Sequence, residues 1–167
     1  MKNSNIDRML LGVSIVGYLA MSASFMLMPV EALGIVPGIV FWAGLLIGTG
    51  MQMLLEKRRR AFFAAYGIGR EKVQKPRNGL LTFASNKAAM IADGAFVCSM
   101  IAAILAFVLT KGAGYICYVC ITAAASSFCL HCIFNGRIYF HINNQSKVRQ
   151  ALEQMKASKG EGNCENC

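Results

Sequence analysis

The sequence predicts an all-α integral membrane protein, a four-transmembrane-helix up-down bundle made of two hairpins. Three observations carry that prediction. Hydrophobic residues make up 56% and charged residues 15% of the 167-residue chain, against roughly 45–50% and 25% in an ordinary soluble domain. The excess is gathered into four runs, at residues 9–28, 33–55, 88–109 and 114–134, each near the ~20 apolar residues a helix needs to cross a bilayer core. Finally, 16 of the 17 Lys and Arg residues flank these runs on one side, and only Lys111 falls on the other.

Taken in order, residues 9–28 carry no charge. The run is longer than the roughly 7–15 apolar residues of a signal peptide, and no small-residue cleavage site follows it, so it is expected as a retained first span. Pro29-Val-Glu-Ala makes a tight outer turn. The second span has Gln52 as its only amide and is rich in glycine, at Gly34, Gly38, Gly44, Gly48 and Gly50. Gly44 and Gly48 form a G-x-x-x-G, which lets two helix backbones approach and is expected to pack within the bundle.

Residues 56–87 form a basic cytoplasmic loop, expected to continue as an amphipathic helix to about Lys75 and to turn at Pro76-Arg77-Asn78-Gly79. Leu80, Leu81 and Phe83 then dip into the interface before Ser85 or Asn86 caps the third span. That span holds one charge, Asp93. A second tight turn, Thr110 to Gly114, leads into the uncharged fourth span, whose apolar pattern runs past Arg137 to Phe140. Residues 1–143 are therefore the membrane domain. Residues 144–167 are a polar cytoplasmic tail, with a short helix at 145–157 and an irregular end, SKGEGNCENC.

A net charge of +9 would suggest nucleic acid in a soluble chain. Here the one-sided distribution makes it a topology signal, placing both termini in the cytoplasm of a cell (inner) membrane. No nucleic-acid partner is expected. The basic residues also attract anionic lipid head groups, by about 1 kcal/mol each near the surface. Arg58, Arg59 and Arg60 after the second span, and Arg137 after the fourth, form the expected lipid or partner surface. The stretches RRRAFFAAY and GRIYFHI read as interface anchors at two cytoplasmic helix ends.

The fourth span concentrates the chemistry. It reads ICYVCITAAASSFCLHCIFNGRIYF from Ile116 to Phe140, with four of the seven cysteines in two C-x-x-C pairs. On a helix Cys120, Ala124, Ser127 and His131 lie within about 40° of one another. They form a small, polar stripe of the kind that faces a neighbouring helix. Cys129 points about 180° from Cys120, so the C-L-H-C cluster does not converge on one metal. No metal, haem or other cofactor is expected inside the spans, because tetrahedral zinc needs four ligands. Asp93 is the only acid in a span. It is expected either to relay protons or cations, or to bond to Arg58, Arg59, Arg137 or His131 and so tie the hairpins together.

Cys117 and Cys120 sit in the first turns of the fourth helix, about 5 Å apart at Cα, within disulfide range. Cys117-Tyr-Val-Cys120-Ile-Thr122 resembles the redox motif of the vitamin K epoxide reductase family, four-helix quinone reductases with C-x-x-C at the outer end of the fourth span. The resemblance covers about six residues and implies thiol–disulfide redox chemistry at Cys117 and Cys120. Members of that family also carry a second cysteine pair in a long loop between the first two spans. This chain has a tiny turn there without cysteine, so that relay is missing.

The tail pair Cys164-Glu-Asn-Cys167 is similar to the terminal cysteine pair of mercury-resistance membrane transporters, which implies a soft-metal role. Those transporters carry a further pair in the first span, where this chain has none. No P-loop, G-x-S-x-G or H-E-x-x-H is present, which turns expectation away from hydrolases and kinases. The expected function is therefore that of a non-enzymatic accessory or assembly subunit, partnered by other membrane subunits or by itself. The alternatives are a thiol redox protein using Cys117 and Cys120, and a small ion or metal transporter using Asp93, Ser127 and His131.

Overall fold

The computed structural model of the chain describes residues 2–67, 86–112 and 114–161. Among those residues every regular element is a helix, without a strand. They form α1 (Lys2–Leu27), a 3-10 turn (Glu31–Leu33), α2 (Val36–Ala64), α3 (Lys87–Leu109), α4 (Tyr115–Phe134), α5 (Arg137–Asn143) and α6 (Gln145–Glu161). The first four α-helices are each long and apolar enough to cross a membrane. Helix is the form in which a long uncharged run satisfies its own backbone without water. Pro37 stands in the first turn of α2, where its missing N–H costs nothing.

α1 and α2 pack antiparallel along a seam of small residues. Gly17 meets Gly44 and Gly48, so that a Cβ on Gly17 would lie 2.7 Å from Gly48 N. Ser14 is fully buried. Its hydroxyl donates to the Gly48 carbonyl at 3.1 Å and accepts from Gln52 Nε2 at 3.1 Å. At the open end of the hairpin Arg58 Nε bonds Asp7 Oδ1 at 2.5 Å. The G-x-x-x-G of the second span thus packs within the chain, as its spacing predicts.

α3 and α4 form the second antiparallel hairpin. Asn86 caps α3 by accepting from the Ala88 N–H at 3.0 Å, and its Nδ2 donates to the Phe134 carbonyl at the end of α4, also at 3.0 Å. Ala89, Ala92, Ala103 and Ala106 are buried along α3. Phe96 and Phe128 stack with centroids 6.0 Å apart.

The hairpins meet through α1 and α4. Ser14 and Ser22 of α1 are eight residues apart, hence about 80° around the helix, which lets α1 face α2 with one stripe and α4 with the next. The four helices therefore stand in the order α2, α1, α4, α3, and α3 packs extensively on α4 alone among the described residues.

Two boundaries differ from the sequence expectation. α2 stops at Ala64, and Gly67 at φ +69° turns the chain, where a helix to Lys75 was expected. Residues 68–85, with the expected turn at Pro76 and the interfacial Leu80, Leu81 and Phe83, lie outside the described residues. The fourth span ends at Phe134, as expected, and after Asn135 and Gly136 α5 folds back across the bundle end. There Ile142 joins Leu11, Leu55 and Ile133 in a buried cluster. α6 runs to Glu161, past the predicted end of the tail helix.

Candidate functional site

α4 sorts its side chains between two neighbours. Its Cys120, Ala124, Ser127 and His131 stripe turns to α3, where His131 Nδ1 contacts Asp93 Oδ1. Asp93 lies about two turns into α3, and both side chains are 19% exposed. Ser127 and Ala124 are buried on the same stripe. Of the partners expected for Asp93, the structure brings His131. A carboxylate beside an imidazole can share one proton, or form an ion pair when the ring is protonated.

Cys117 is buried, with its sulfur 3.9 Å from the Ala103 carbonyl of α3. Cys120 is half-buried, and both are free thiols. Cys129 faces the other way, against Ser22 of α1. The C-L-H-C cluster thus diverges, as the helical angles predict. No group of three or more metal-ligating side chains occurs among the described residues. Cys164 and Cys167 lie outside them.

Of the four arginines expected as a lipid or partner surface, three have carboxylate partners. Arg58 is bonded to Asp7. Arg59 binds both oxygens of Glu56 at 2.8 Å and lies 5.7 Å over the Phe63 ring. Arg60 reaches the same carboxylate at 3.1 Å and remains half-exposed. Arg137, in the first turn of α5, is exposed and has no ion pair among the described residues. The aromatic anchors that follow the second and fourth spans meet: the His141 ring packs 4.9 Å from Phe62 and 5.3 Å from Phe63. Burial, reinforced by the nearby Arg59 charge, lowers the pKa of His141.

Where α5 leaves α4 it opens a cleft of about 390 Å³ toward α1 and α2. Phe128, Ile133 and Ile138 supply apolar wall, Cys129 and Cys132 line one side, Tyr18 and Gln52 the other, and Arg137 stands at its border. A shallower groove continues past Gln52 and Ile138 to Lys57 and Arg60.

Sequence reasoning passed over Asp7, Ser14, Gly17, Tyr18 and Ser22. A signal for two of these residues was present: Asp7 and Ser14 lie seven residues apart, with Met21 seven further on, which keeps all three on one face with about 20° of drift per heptad.

The chain matches no family model, no curated protein and no solved structure.

Proposed function

We propose that this is a four-span membrane bundle with both termini cytoplasmic, acting as a non-enzymatic accessory or assembly subunit that docks another membrane helix on α3. The orientation rests on the one-sided basic residues. The observation that carries the docking is the uncovered face of α3. Opposite the alanines that meet α4, Gly94, Cys98 and Ala102 are all exposed at four-residue spacing. Small residues at that spacing admit a second helix backbone closely. Ile91, Ile101 and Leu105 flank that stripe on the same side of α3, while α2 exposes the bulky Ile39, Trp42, Leu46 and Met53, which suit lipid chains.

The test is native-gel mobility of the protein extracted from its own membrane in mild detergent. Gly94→Ile and Ala102→Ile should each dissolve a larger assembly, while Leu46→Ala on α2 leaves it intact. A wild-type protein migrating alone, or an assembly indifferent to both isoleucines, overturns the proposal.

A second function, proton or cation transport, is supported by the contact of Asp93 with His131. Its test is flux into liposomes, which Asp93→Asn should abolish. The redox alternative has less support, since Cys117 is packed against a backbone carbonyl rather than open to a partner.

A further inference from the structure

We propose that the cleft between α1, α4 and α5 is a binding site for one anionic phospholipid, with an acyl chain along its apolar wall and the phosphate on Arg137. The first support is shape and chemistry. The cleft is about 390 Å³ and bounded by Phe128, Ile133 and Ile138, so hydrocarbon is the filler its walls favour.

The second is charge placement. Arg137 follows the last apolar turn of α4 after only Asn135 and Gly136, at the level where a span ends and head groups begin. Unlike Arg58, Arg59 and Arg60, it has no carboxylate partner among the described residues. A planar guanidinium without an internal partner matches a phosphate through two parallel hydrogen bonds. The adjoining groove adds Lys57 and Arg60. Glu56 is the acid there, and it is already engaged by Arg59 and Arg60.

The third is local backbone. Gly136 sits where the chain turns from α4 to α5, and a Cβ there would lie 3.0 Å from the Ile133 carbonyl and 3.2 Å from that of Cys132. A side chain at 136 would therefore crowd the last carbonyls of α4 at the turn that carries Arg137 to the cleft border. A peptide strand is a poor occupant at this depth, because its backbone groups would go unpaired in hydrocarbon. A free small anion would leave the apolar wall empty. The site is independent of the docking face on α3, none of whose residues line the cleft.

The experiment uses the full-length protein purified in detergent, with phosphatidylglycerol or phosphatidylcholine of identical chains added back. Native mass spectrometry should find one phosphatidylglycerol retained severalfold better than phosphatidylcholine, and Arg137→Gln should erase the preference while Arg137→Lys keeps part of it. The cleft thiol reports location. In nanodiscs, phosphatidylglycerol should slow alkylation of Cys132 by a neutral maleimide severalfold in the wild type but not in Arg137→Gln, with Cys98 on α3 unaffected. Equal retention of the two lipids, or a preference that survives Arg137→Gln, overturns the proposal. So does equal protection of Cys132 by inorganic phosphate alone in phosphatidylcholine discs, which would make the site one for a free anion.

Discussion

Gly17 and Gly44 bring the backbones of α1 and α2 into direct contact: a Cβ on Gly44 would lie 2.6 Å from the Gly17 carbonyl oxygen and 2.6 Å from Met21 N. Neither atom belongs to a flexible side chain, so the helices themselves must separate to admit a methyl. Gly44→Ala should destabilise the protein by about 1–3 kcal/mol, the usual cost of overpacking. Gly12 and Gly50 have nothing within 4 Å of a Cβ, and alanine there should gain up to about 1 kcal/mol of helix propensity. Denaturant titration in micelles, followed by circular dichroism, compares them. If Gly44→Ala is as stable as Gly50→Ala, the glycine seam is not what closes the hairpin.

The same hairpin is closed at its other end by Asp7 and Arg58, whose side chains are 10% and 33% exposed. Asp7 is the more buried partner, so removing Arg58 leaves a carboxylate short of a donor. A double-mutant cycle of Asp7→Asn and Arg58→Gln should return a coupling of about 1 kcal/mol, reduced by salt because Arg58 remains partly solvated. Additive single effects would mean that the pair contributes nothing beyond its separate contacts.

Asp93 and His131 pin α3 to α4 in a region otherwise lined by alanine. Asp93→Asn keeps a hydrogen-bonding group opposite the imidazole and should leave folding nearly unchanged. Asp93→Leu strands the ring and should cost about 1–3 kcal/mol, the penalty of an unsatisfied polar group. The two variants separate structure from transport. Loss of liposome flux in a fully folded Asp93→Asn supports a relay, whereas unchanged flux with an unstable Asp93→Leu leaves the pair a clamp.

The four long apolar helices were legible because runs of about twenty residues with at most one charge have few other uses. The divergence of Cys129 from Cys120 was legible too, since helical angle alone sends them to opposite sides. The end of α2 was not. Apolar and aromatic residues continue past Ala64, and the decisive feature is Gly67 in a left-handed turn, a single residue inside that pattern. Asp7 was passed over because it stands before the apolar run and looks like a flanking charge. The cleft was invisible for a different reason. Tyr18, Gln52, Cys132 and Arg137 come from four helices, and only the order in which those helices pack brings them together.

His141 ties α5 to α2, buried against Phe62 and Phe63 with its Nδ1 lacking a partner among the described residues. Burial lowers its pKa, the Arg59 charge lowers it further, and Asp7 and Glu56 only partly oppose this. The folded ring therefore binds a proton less readily than the ordinary histidine of the unfolded chain, near pH 6.5. Below that value the unfolded state takes up the proton first, so stability is fully present well above about pH 6.5 and falls as pH drops from there toward the lower folded pKa. Amide hydrogen exchange across α5, corrected for intrinsic rates, should accelerate severalfold between pH 7.5 and 5.5. His141→Leu should flatten that dependence while leaving the pH response of α3 as it was. An equal acceleration in the leucine variant would place the sensitive group elsewhere and leave His141 as aromatic packing alone.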